Sequence, residues 1–201
     1  MNKKVFFITC ALLFIFSKLT AQQNEPVRYE GAGLGVYFCN SYPAGKWSEY
    51  VKASVGGGLT ADYILPIDLG VIDLGINLKA EYAGLVPKAT DIIISANDIT
   101  FAPGVFCRIP FSLGKFNAAF VPVISYGIVV HSIKAKQESK VTGVYRDQTF
   151  CLSPALRFCI PNMQNLEVEL AQISSFAFED SNVVMQMGFH LGAIWYFKIK
   201  Q

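Results

Sequence analysis

The chain has 201 residues, of which 52% are hydrophobic and only 16% charged, with 17 Lys plus Arg set against 15 Asp plus Glu. A charged fraction well below the roughly 25% of ordinary soluble domains excludes extended disorder and a basic nucleic-acid-binding surface. The length suits one domain, and a mean hydropathy of +0.37 points to lipid as its surroundings.

At the N-terminus, Lys3 and Lys4 precede the apolar run Val5 to Phe16, and Leu19-Thr20-Ala21 places small residues before Gln22. This is the pattern of a cleaved secretory signal peptide over residues 1–21, leaving 22–201 as a single mature domain. The run is too short for a membrane-spanning helix and is closed by Lys18. Because the leader carries three lysines and no acid, the remainder is close to neutral, and no nucleic-acid partner is expected.

Beyond the leader the dominant pattern is period two, the signature of strands. Tyr29 to Asn40 alternates Leu34, Val36 and Phe38 with Gly33, Gly35 and Tyr37. In Val51 to Leu65 apolar odd positions oppose Lys52, Ser54, Gly56, Gly58, Thr60 and Asp62. Val71 to Ala83 sets Ile76, Leu78, Ala80 and Tyr82 against Asp73, Gly75, Asn77, Lys79 and Glu81. Five further strands follow, at Ile99 to Ile109, Phe116 to Val130, Thr149 to Ile160, Leu166 to Ser174 and Val183 to Ile199. Most exceed the roughly 9–11 residues of a tilted spanning strand.

Phe116 to Ile133 is uncharged and long enough for a short transmembrane helix, but Pro122, Asn117 and the density of Val and Ile favour a strand. The eight strands have one apolar and one polar, glycine-rich face. A soluble lipocalin-like barrel would put the apolar face inside, whereas a transmembrane barrel turns it to lipid. Connections alternate. Pro66 to Gly70, Pro110 to Gly114 and Pro161 to Asn165 are short, each following an aliphatic residue, while Ser41 to Ser48, Gly84 to Asn97, His131 to Asp147 and Ser175 to Asn182 are longer. The fold class expected is therefore all-β: an eight-stranded antiparallel up-and-down transmembrane barrel with short periplasmic turns and longer extracellular loops.

Side-chain chemistry points to no reaction. His131-Ser132, with Glu138 or Asp147 near in sequence, has the residue types of a lipid-modifying hydrolase, but adjacent strand residues face opposite sides. Neither His131 nor His190 has Cys, Asp or Glu at metal-ligand spacing, so no metal, cofactor or catalytic residue is expected. Gly56-Gly57-Gly58 lacks the Lys of a phosphate loop and fits relief of crowding in a narrow barrel. The mature cysteines Cys39, Cys107, Cys151 and Cys159 have no motif spacing and are expected to be free, with Cys39 and Cys151 the only pair worth considering.

Strand parity sends Lys52, Asp62, Asp73, Lys79, Glu81, Arg108, Arg157, Glu167 and Glu169 into the lumen. Nine ionisable groups inside eight strands must pair with one another. The expected structural network is Lys79, Glu81, Arg108, Arg157, Glu167 and Glu169, centred on Arg157 bridged to Glu167 or Glu169. Two outward aromatic bands are expected, one with Tyr63, Phe116, Phe158, Trp195 and Phe197, the other with Tyr42, Trp47, Tyr50, Tyr82 and Phe150.

The signal peptide ending Thr20-Ala21-Gln22-Gln23, the eight alternating strands, the glycine-lined polar faces and the closing Trp195-Tyr196-Phe197 together resemble the small outer-membrane barrels of the OmpA, OmpX and OmpW kind, in the style of those of Bacteroidota. Members often end on an aromatic residue read by the assembly machinery, whereas Lys198-Ile199-Lys200-Gln201 follow Phe197 here. The resemblance implies a monomer in the bacterial outer membrane, with lipid and lipopolysaccharide around it and the barrel assembly machinery as its inserter. It also implies a non-enzymatic role in envelope integrity or loop-mediated surface interactions. An OmpW-like transport channel for small or hydrophobic molecules is the alternative, and a lipid-modifying enzyme the third.

Overall fold

The computed structural model describes residues 26–45, 47–67, 69–88, 93–113, 116–135, 142–179 and 182–200. The leader expected over 1–21 and Glu138 lie outside them. Eight strands form one closed antiparallel barrel in sequence order: β1 (Gly31–Ala44), β2 (Val51–Ile64), β3 (Asp73–Pro87), β4 (Ile93–Leu113), β5 (Phe116–Ala135), β6 (Gly143–Ile160), β7 (Met163–Glu179) and β8 (Asn182–Tyr196), with one short helix, α1 (Trp47–Tyr50), between β1 and β2. Phe116 to Ile133 is strand, and no helix among the described residues is long and apolar enough to cross a membrane.

The closure follows from the ladder. Stepping across paired residues from Gly33 leads through Asp62, Asn77, Gly104, Ser125, Cys151, Ser175 and Gln186 back to β1 at Pro43, ten positions from the start. That stagger tilts the strands and fixes the bore, which for eight strands is about wide enough for side chains to fill. Large apolar residues stand on the outside, with Val36, Leu59 and Phe189 each at least 60% exposed, while Arg108, Arg157 and Glu167 are at most 1% exposed inside. The hydrophobic pattern of a soluble protein is thus inverted.

Both described chain ends lie at one end of the barrel, here called the near end, together with the β2–β3, β4–β5 and β6–β7 turns. The strands run further toward the far end than the alternation foretold. Much of what reads as long loops, including Gly84 to Pro87, Ile93 to Asn97, His131 to Ala135 and Gly143 to Asp147, is paired strand. In this upper part polar residues enter the outward positions, as at exposed Ser95, Ser132, Lys134 and Arg146, beside apolar Val86 and Val144. The alternation weakens there, but backbone hydrogen bonding does not depend on it.

Two other boundaries differ. Gly31, with φ of 76°, bends the chain between Tyr29 and β1, so Tyr29 joins the closing floor through a single bridge to Ile199 instead of starting the strand. At the far end of β2 a register shift between Val51 and Ala53 adds a residue. Parity reverses across such a bulge, so Val51 is buried and Lys52, expected inside, is exposed.

Candidate functional site: the filled lumen

The interior is layered. Nearest the termini, Arg108 on β4 donates from Nη2 to Glu167 Oε1 at 2.7 Å and from Nη1 to Asp73 Oδ2 at 3.3 Å. Arg28, from the segment before β1, donates to the same Asp73. That segment floors the layer: Tyr29 lies with its ring centroid 4.7 Å from the Arg108 guanidinium carbon, stacks on Tyr196 at 4.2 Å, and donates its hydroxyl to the Gln164 carbonyl. A guanidinium suits this position because its fixed fork can engage two carboxylates and still stack on a ring.

The next layer spans the barrel. Arg157 on β6 donates from Nε to Glu169 Oε2 at 2.7 Å, its direct cross-strand partner on β7. From Nη1 it also donates to Asp62 Oδ2 at 2.7 Å on β2, four strands around and so on the opposite wall. The Tyr196 hydroxyl joins the same pair, receiving from Arg157 at 2.6 Å and donating to Asp62 at 3.0 Å. Asn77 caps Asp62 with a 2.5 Å hydrogen bond from Nδ2. All four charged or phenolic groups are buried. Burying them is unfavourable singly but tolerable as a hydrogen-bonded set.

Of the six residues expected to form the network, the structure brings Arg157 to Glu169 and Arg108 to Glu167. Lys79 and Glu81 do not meet in an ion pair. Lys79 Nζ lies 5.9 Å from the centroid of the Tyr37 ring, and Glu81 accepts from the Tyr37 hydroxyl at 3.2 Å. Residues two apart on one strand stand about 7 Å apart along the wall, so Lys79 lies over the Tyr37 ring while Glu81 takes the Tyr37 hydroxyl and His190 as its partners. Tyr37 itself fits because β2 and β8 carry glycine opposite it. A Cβ on Gly58 would lie 2.5 Å from the Tyr37 hydroxyl, and one on Gly192 would lie 2.8 Å from Tyr37 Cβ.

Above Tyr37 the lumen opens into a cavity of about 70 Å³ lined by Ser, Thr and Cys side chains together with Glu81, His190, Asp98 and His131. That volume accommodates a few water molecules at roughly 10–15 Å³ each. Its sulfur groups include Cys39 and Cys151, and all four described cysteines are free. In this layer Glu81 Oε2 lies 3.3 Å from His190 Nε2, and Cys39 Sγ joins them so that the three donor atoms lie within 4.8 Å of one another. Sequence spacing missed this convergence because the three residues come from β1, β3 and β8. The readable signal was strand parity combined with the closure of β8 onto β1.

The far mouth is formed around His131, whose Nδ1 lies 2.7 Å from Asp98 Oδ1 and whose Nε2 lies 3.5 Å from Asp147 Oδ2. Ser132 points to the outside and is exposed, so the hydroxyl next to His131 in sequence is not part of this cluster. Trp47, expected in the outer aromatic band, instead packs inward from α1 against Val51, Leu85 and Ile133 and lies 5.9 Å from the His131 ring. It acts as a partial cover, because the chain reverses at Gly45 and brings the helix back over the opening. The other expected band residues Tyr42, Tyr63, Tyr82, Phe116, Phe158, Trp195 and Phe197 are exposed, as is Tyr50 on α1, and Phe150 is half-buried against Phe176.

No protein-family model and no curated protein sequence matches the chain. Among solved structures it is similar to Neisserial surface protein A (NspA), with a TM-score of 0.52 at 7% identity over 84% of this chain and 98% of that one. Ail, the attachment invasion locus protein of Yersinia pestis, aligns at 0.49 with 12% identity over 84% of this chain and 99% of that one. The N-terminal barrel domain of Pseudomonas aeruginosa OprF aligns at 0.46 with 13% identity over 83% and 98%. The likeness to NspA is one of fold: the chain is an eight-stranded barrel of the small outer-membrane type.

Proposed function

We propose that this chain is an integral outer-membrane protein that neither catalyses nor conducts, and that serves as a rigid envelope scaffold holding its far-end links on the outer surface. The belt of exposed Leu, Val, Ile and Phe supports the membrane placement, since a monomeric soluble protein rarely exposes so continuous an apolar surface. The exposed aromatic residues at both ends of that belt suit a bilayer's two interfaces. The near end would then face the periplasm.

One observation carries the non-conducting part of the reading. Arg157 reaches across the bore to Asp62 while holding Glu169, and Arg108 with Glu167 and Asp73 closes the layer beneath. An ion crossing the lumen would have to break two buried networks in series. Planar-bilayer recording of the refolded wild type tests this: no steady unitary current is expected, and large stable single-channel steps would overturn the plug in favour of the transport reading.

A further inference from the structure

Cys39, Glu81 and His190 have no part in the two charge layers that close the barrel. They meet just above them, where β1 and β8 close the sheet: Cys39 and His190 are direct cross-strand partners. β3 would ordinarily be screened from them by the side chains of the intervening β2. Here β2 contributes Gly56 and Gly58 at the paired positions, so the Glu81 carboxylate reaches past bare backbone toward β1. Tyr37 stacks on the His190 ring at 4.5 Å and 15° and donates to Glu81, fixing both side chains from below. His190 is 5% exposed, and its Nδ1 is buried without a hydrogen-bond partner.

We infer that these three side chains form a binding site for a single metal ion of the zinc class, held by Cys39 Sγ, a Glu81 carboxylate oxygen and His190 Nε2, with the fourth position open to the far-end cavity. Around tetrahedral zinc, bonds of about 2.0–2.3 Å place neighbouring donors about 3.3–3.6 Å apart. The Glu81–His190 separation of 3.3 Å already meets that, and Cys39 Sγ lies within 4.8 Å of both. Three protein ligands plus one open position on a water-sized cavity is the arrangement of zinc sites that keep an exchangeable ligand.

The donor set selects the metal. A thiolate with an imidazole favours zinc and its soft neighbours, whereas magnesium and calcium require oxygen shells that this site does not supply. Lys79 reaches the same cavity, and its charge disfavours a cation that cannot draw on a thiolate's strong bond. On binding, the Cys39 thiol gives up its proton to water and the sulfur–metal bond forms, so thiolate and carboxylate neutralise the dication. The route in is from the far mouth, where Asp98 and Asp147 flank His131 and make the entrance attractive to cations.

Cobalt(II) titration of the refolded full-length barrel in detergent tests the site. The expected result is saturation at one equivalent with a thiolate-to-cobalt charge-transfer band in the near ultraviolet, displaced by zinc. The band should vanish in Cys39→Ser and persist in Cys151→Ser, whose sulfur lines the same cavity outside the triad. Tyr37→Phe, which removes the hydrogen bond to Glu81, should weaken the affinity by about 10–100-fold. No band from folded wild type, or one that survives in Cys39→Ser, would overturn the site. If Cys39→Ser does not fold, zinc protection of Cys39 from alkylation in the wild type decides instead: slowing of at least tenfold at Cys39 and none at Cys107 supports the site, and equal rates reject it.

Discussion

Arg157 is the single side chain on which the interior most depends, because three acceptors on three other strands converge on it. Arg157→Ala leaves Asp62 and Glu169 buried without their cation, and such one-sided removal costs about 3–5 kcal/mol. The variant should lose thermal stability by that order in detergent unfolding monitored by circular dichroism. A triple variant that adds Asp62→Asn and Glu169→Gln should recover part of the loss, because the stranded charges are gone. Steric fit supplies a second case. A Cβ at Gly75 would lie 2.2 Å from the Phe106 ring, so Gly75→Ala should destabilise by about 1–3 kcal/mol through overpacking. Phe106→Leu in the same chain should relieve it. The Arg157–Glu169 pair was legible in the sequence because a tight turn sets the register of its hairpin. Asp62 was legible only as an inward residue, since which opposite-wall position faces Arg157 depends on the ten-residue stagger, a property of all eight strands at once.

The strands show where alternation is a sound guide and where it ends. Through the middle of β3 every expected outward residue is outside, because the pleat alone decides it. Lys52 shows the failure: one extra residue in β2 reverses the faces beyond it, and nothing in Val51-Lys52-Ala53 announces the bulge. The difference is measurable. A membrane-impermeant amine-acylating reagent applied to the folded barrel should modify Lys52 and spare Lys79, which is 9% exposed; equal modification of the two would contradict the register. The far-end links differ for another reason, since pairing there continues after the outward positions become mixed in polarity. The β6–β7 turn offers a third test. Asn162 holds φ of 69°, a left-handed conformation that costs ordinary L-residues roughly 1–2 kcal/mol. Asn162→Val should lower stability by about that much in thermal unfolding, and Asn162→Gly should not.

At the scale of the molecule, the composition and the closed ladder express one inversion: a low charged fraction leaves the outer surface apolar, and the buried Arg108, Arg157, Asp62, Asp73, Glu167 and Glu169 are paired with one another inside the bore. Membrane placement requires this outer surface to meet lipid. Trp195 stands 42% exposed on it near one end of the belt, whereas Trp47 lies against the far-mouth clusters. The measurement is tryptophan fluorescence of a Trp47→Phe barrel, with Trp195 as sole reporter, refolded into vesicles of phospholipids brominated at defined depths along the acyl chain. Direct lipid contact predicts strong quenching that is greatest for bromines nearest the headgroup, because the proposed placement puts Trp195 in an interfacial band. Fluorescence that is unchanged by bromine at every depth, from protein shown to be folded and vesicle-bound, would contradict the membrane placement.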